Sequence, residues 1–173
     1  VRRGHQAVTR VQRAGLEAET LEDLERVTRV MADELEDMGL PFEGAGVTII
    51  DQPRDRMLVF VAHPESRGYR TFRQVFALRQ GMETYSALRG LVSNWRRRKT
   101  WEREPDEEYD KLMQDSRMGS GYRPRVLLDV PHLLGTLGMG LPAARGVRVE
   151  NAAQILTLLE PTMEIVERYR PDL

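Results

Sequence analysis

The sequence predicts an α+β domain, an antiparallel sheet with helices grouped on its faces. Three observations carry that prediction. Strand-like runs come in adjacent pairs instead of alternating strictly with helices. The apolar stripes at both ends of the chain are helical. From Val126 to Leu159 an apolar run broken by Pro131, Gly135, Gly138 and Gly140 passes into a helical pattern, as when two closing strands hand over to a terminal helix.

The elements follow in order. Val8, Val11, Ala14 and Ala18 form a narrow apolar stripe on a charged segment, too weak to hold a helix in water alone. It needs a partner, and the same helix of a second subunit is the expected one. Thr20 opens T-L-E-D, a capping arrangement for a helix over Leu21 to Met38, whose Leu24, Val27, Met31 and Leu35 recur at helical spacing and whose end is marked by Gly39. GVTIID (46–51) and MLVFVA (57–62), joined by the turn residues Gln52, Pro53, Arg54 and Asp55, read as a hairpin. Gln74 to Arg79 reads as a third strand. From Glu83 the spacing of Tyr85, Leu88, Val92 and Trp95 turns helical, ending in Arg96, Arg97, Arg98 and Lys99, cations that suit the negative end of a helix dipole. Thr100 to Arg103 is a short strand, and Pro105 followed by acids starts a short helix to Asp115. After a glycine-containing connector (118–123), Arg125 to Val130 and Leu133 to Leu141 are the last two strands. Ile155, Leu158, Leu159, Thr162, Ile165, Val166 and Tyr169 form the terminal helix.

Bulk composition bounds the function. A chain of 173 residues is long enough to bury a core without staples. With 26 basic against 27 acidic residues it has no overall footprint for nucleic acid or anionic lipid. The absence of cysteine removes disulfides, thiol nucleophiles and thiolate metal sites. No apolar run approaches the ~20 residues of a membrane helix, and the first residues lack the apolar block of a secretory signal, so a cytoplasmic protein is expected. The start at Val1 suggests a module cut from a longer polypeptide.

In order and spacing, LEDLERVTRVMADELEDMG before GVTIID, a helix ending in NWRRRKTW, VPHLLGTLGMGLP and the closing ILTLLEPTMEIVERYRPDL resemble a GAF domain of the type found in bacterial multidomain sensors. The resemblance covers roughly Leu21 to Leu173. It implies a GAF-like, PAS-related antiparallel sheet of about six strands between a terminal-helix dimerisation layer and a ligand-binding layer of helices and loops. It further implies residues 1–19 as a signalling helix, residues 20–173 as the sensory domain, and an output domain in the native protein. Lack of cysteine and of a cyclic-nucleotide signature leaves bilins, sulfoxide chemistry and cyclic nucleotides unsupported.

Each chemical constellation has a bland counterpart. Trp95 to Lys99 could be a nucleic-acid or phosphate patch, but the acids from Glu102 to Asp110 follow within the chain, and a solvated helix end accounts for it. Those acids lack the spacing and central glycine of a calcium loop. Gly135, Gly138 and Gly140 lie inside a strand pattern, unlike a phosphate loop that opens a helix, so close backbone packing or a bulge is their expected role. Of three histidines, His132 sits at the junction of the last two strands, either a ligand contact or a turn residue. No nucleophile elbow, zinc spacing or catalytic dyad is visible. The expectation is therefore no enzyme, no metal and no cofactor, with an unknown small molecule bound by Arg79, Tyr85, Trp95, Tyr109, Tyr122, Arg125 and His132. Occupancy would be transmitted through dimerising terminal helices. A ligand-free dimerisation scaffold is the alternative.

Overall fold

In the computed structural model, which describes residues 2–116, 124–142, 152–154 and 157, the chain runs α1 (Arg2–Leu16), α2 (Leu21–Asp37), β1 (Gly44–Asp51), β2 (Arg56–Pro64), β3 (Tyr69–Ala77), α3 (Leu78–Thr84), α4 (Ser86–Arg96), β4 (Trp101–Arg103), α5 (Glu107–Asp115), β5 (Val126–His132) and β6 (Gly135–Leu141). The strands form one six-stranded sheet in the order β3-β2-β1-β6-β5-β4, every pairing antiparallel. This is the α+β sandwich expected from the paired strand runs. Of the C-terminal stripe, the segment from Ile155 onward falls outside the described residues apart from 157.

Alternation along β1 sorts the two faces. Ala45, Val47 and Ile49 point into one core with Leu24, Val27, Met31 and Leu35 of α2, while Ile50 joins a second core with Leu78, Leu88, Leu91, Val92 and Leu112 of the helices on the opposite face. α2 starts where the sequence places it: the Thr20 hydroxyl accepts from the Asp23 amide, and the Asp23 carboxylate accepts from the Thr20 amide at 2.9 Å.

Two features depart from the sequence reading. The α1 stripe is covered within the chain, since Val11, Ala14 and Ala18 are buried in the same core as α2. The argument for a second subunit at that stripe is thereby removed. The third strand runs over Tyr69–Ala77 instead of beginning at Gln74, because it is an edge strand of half-buried and exposed residues whose first half mixes Arg70, Thr71 and Arg73 with the aromatic residues. Leu78 and Arg79 begin α3, where the Asp55 backbone carbonyl accepts from the Leu78 amide at 2.9 Å and the Asp55 carboxylate from the Arg79 amide at 3.0 Å. Capture of those amides explains why strand geometry stops there. Among the described residues no helix is long and apolar enough to cross a membrane.

Candidate functional site

The face of the sheet turned away from α2 is unusually bare at its centre. Facing pairs between β1 and β6 are Gly44 with Gly140, Gly46 with Gly138, and Thr48 with Thr136. Four of these six positions carry no side chain, so α4 and α5 span a floor of backbone and leave a pocket of about 130 Å³. Leu88 and Leu91 of α4, with Tyr109 and Leu112 of α5, form its roof, and Val59 and Val61 of β2 one wall. That volume is close to the ~150 Å³ cavity known to take a benzene-sized guest and below the ~300 Å³ of an ordinary small-molecule site.

Polar groups enter from β4 and β5. Asp129 sits beside Gly138 in the register, and its carboxylate accepts from the Thr136 hydroxyl at 3.0 Å and from an Arg103 guanidinium nitrogen at 2.8 Å. The Arg103 guanidinium also lies 3.6 Å from the Trp101 ring centroid. Trp101 in turn packs on Gly90 of α4, where a Cβ would stand 2.4 Å from the ring. Arg103 and Asp129 are 21% and 14% exposed, so both charges are largely desolvated but mutually compensated. Tyr109 and Thr48 also line the space, and their hydroxyls make no hydrogen bond among the described residues. Burial lifts the Tyr109 phenol above its ordinary range, which keeps it a hydrogen-bond donor. His63, with Nδ1 3.1 Å from the Glu43 carbonyl and its ring edge-on to Phe72, closes the wall on the β2 side.

Of the seven residues singled out by sequence, Tyr109 lines this pocket. Arg79 is exposed on α3 and borders a separate depression. The Tyr85 hydroxyl donates to Asp115 at 2.8 Å, tying the start of α4 to the end of α5. The Trp95 indole donates to the His132 carbonyl at 2.9 Å, anchoring α4 to the β5–β6 turn. His132 itself is 1% exposed, and its Nδ1 accepts from the Leu134 amide at 3.1 Å. Its remaining proton is therefore on Nε2, which makes no hydrogen bond among the described residues, and burial, only partly offset by the neighbouring Thr136 and Thr48 backbone, pushes the ring from its ordinary 6.5 down to about 4. Arg125 is exposed, with its amide closing β5 onto the Leu141 carbonyl at 2.8 Å. Tyr122 lies outside the described residues.

Sequence reasoning missed Arg103, Asp129, Thr48 and the paired glycines. One signal was available: an acid in the middle of the apolar run VLLDVP has to find a buried partner. The glycine pairing becomes visible only once β1 is set beside β6. Among the described residues no cluster of histidine and carboxylate side chains could hold a metal ion.

No protein-family model matches the chain, and no curated protein matches it by sequence. In structure it is similar to free methionine-R-sulfoxide reductase from Neisseria meningitidis, solved in complex with its substrate, at a TM-score of 0.50 and 10% identity, over 95% of this chain and 90% of that one. At that identity the likeness is one of fold, and the fold is GAF-like. The likeness also corrects the expectation that the domain is not an enzyme. The structurally similar protein is itself an enzyme, so a GAF-like sandwich is no argument against catalysis.

Proposed function

We propose that the chain is a small-molecule-binding module whose pocket, between the glycine floor and α4–α5, takes a compact and uncharged guest and serves as a sensory input. One observation carries this reading. Four glycine positions on facing strands leave space beneath the roof helices, and the charges beside it already satisfy one another. A charged guest would have to separate Arg103 from Asp129. A guest with one or two hydrogen-bonding groups finds the Tyr109 and Thr48 hydroxyls unengaged among the described residues. The size argues for a single ring or a short branched molecule, not a nucleotide.

Sensing is supported by the way β1 serves both faces. Gly46 and Thr48 border the pocket, while Val47 and Ile49 between and beside them pack into the α2 core. A guest can bias the helical layer only through its differential affinity for two packings of these strands.

Thermal unfolding with phenol, benzyl alcohol and cyclohexanone as probes tests the proposal. A probe present at about 100 times its Kd stabilises by about 2.7 kcal/mol, or roughly 5–10 °C for a chain of this size. Gly138→Val, which puts a side chain against Asp129, should abolish the shift. Equal shifts in both proteins, or no shift with any probe and no retained molecule in native mass spectra of the purified chain, would defeat it. The similarity to an enzyme favours a second reading, turnover of the guest, which the same incubations reveal by mass spectrometry as loss of the probe.

A further inference from the structure

A second concavity lies on the helical layer, between α3 and α4. It is an open depression of about 680 Å³ lined by Arg79, Arg89, Arg96 and Arg97, with Glu83 the one carboxylate among its lining residues. Other arginines of the chain lie beside acids: Arg10 beside Glu34, Arg54 and Arg56 beside Asp51, Arg70 beside Glu65, and Arg103 beside Asp129. None of the four arginines of the depression forms an ion pair among the described residues. Arg89 is pinned instead, its guanidinium donating to the Met82 and Glu83 carbonyls at 2.6 and 3.2 Å. Arg96 and Arg97 suit the end of α4 through the helix dipole. Arg89, in the first turn of α4, meets the last carbonyls of α3 in the same way, which leaves Arg79, on the first turn of α3, without such an explanation.

We propose that this depression binds a compact small molecule carrying two or more phosphoryl groups. Four arginines line one depression without forming an ion pair among the described residues, and the exposed Arg79, Arg96 and Arg97 each offer a planar fork that matches phosphate oxygens bidentately. A ligand with several phosphates uses the forks. The volume suits a nucleotide-sized molecule. An extended nucleic acid is disfavoured, because the exposed carboxylates of Glu102, Glu104, Glu107 and Glu108 follow in the chain and the net charge is -1. This site is separate from the sheet-face pocket, and its occupancy does not depend on that pocket's function.

Calorimetric titration of the whole chain with ATP, inorganic pyrophosphate, adenosine and a short DNA duplex tests the assignment. Arg79→Glu combined with Arg97→Glu changes two exposed side chains of the lining, one on α3 and one at the end of α4, and Arg13→Glu combined with Arg67→Glu makes the same charge change elsewhere. ATP and pyrophosphate should bind with an affinity that falls as salt rises. Binding should weaken at least tenfold, or about 1.4 kcal/mol, in the first pair of substitutions, and stay unchanged in the second pair and in Gly138→Val. Adenosine should not bind. The assignment is overturned by absence of ATP and pyrophosphate binding at millimolar concentration, by equal weakening in both pairs, or by duplex DNA binding more tightly than either phosphate compound.

Discussion

Replacing His132 with asparagine should change how stability responds to acid. The imidazole is 1% exposed and burial depresses it from 6.5 to about 4, so between those values the unfolded chain binds one proton more than the folded one. Stability then rises with pH at about 1.36 kcal/mol per unit. The contribution of the neutral ring is fully present above 6.5 and is lost as pH falls toward the folded value of about 4. At pH 5 the loss is about 2 kcal/mol, or roughly 4–8 °C in Tm. Asparagine does not titrate, and its side-chain oxygen can take over the acceptor role that Nδ1 plays toward the Leu134 amide. The Trp95 bond is made to the backbone carbonyl and survives the substitution. All other titrating groups are common to the two proteins, so the difference between their urea-unfolding curves from pH 7 to pH 5 isolates the ring. A constant offset is uninformative, since side-chain size alone can cause one. Parallel slopes over that range would refute the buried neutral histidine.

Four further variants test the site and its supports. Gly138→Ala places a Cβ 2.9 Å from the Asp129 carboxylate; it should cost about 1–3 kcal/mol in urea unfolding and remove most probe-induced stabilisation, and a variant that keeps both would sink the glycine-floor account. Asp129→Asn strips the negative partner from Arg103, and because that pair is 21% and 14% exposed the cost should be about 2–3 kcal/mol, below the ~3–5 of a fully buried pair. Combining Asp129→Leu with Arg103→Met should cost less than the two single changes summed, as a double-mutant cycle would read. Gly90→Ala gains about 1 kcal/mol of helix propensity but drives a methyl into Trp101, 2.4 Å away, so net destabilisation and a shifted tryptophan emission are expected. Unchanged emission with higher stability would mean that Trp101 is not seated on Gly90.

Most of the fold was legible because its signals are local. The Thr20 cap, the hairpin turn after Asp51 and the short apolar runs of β1, β2, β5 and β6 each declare themselves within a few residues. β3 was legible in part, since Arg70, Arg73 and Gln74 at a sheet edge remove the apolar contrast on which strand recognition depends. The break between α3 and α4 at Tyr85 was not legible at all. Tyr85 holds an extended conformation, φ −122°, and its hydroxyl contact with Asp115 is a tertiary event. The α1 stripe shows the converse limit: its spacing says that it needs a cover but not that α2 of the same chain supplies it.

The candidate site was less legible for a related reason. Scanning for donors finds tyrosines, arginines and histidines, yet Tyr85 and Trp95 spend their polar atoms on joining elements, and His132 spends its acceptor on a turn. What makes a pocket here is the lack of side chains where two strands meet. Gly44 and Gly46 are unremarkable in β1, and Gly138 and Gly140 invite comparison with a phosphate loop in β6; only a register that sets Gly46 opposite Gly138 turns both pairs into one floor. A slip of β6 by one residue against β1 would bring Leu137 to the pocket face and fill the space. The close approach at Gly135, where a Cβ would stand 2.0 Å from the Thr48 carbonyl oxygen, locks β6 against β1 in the register that keeps it open.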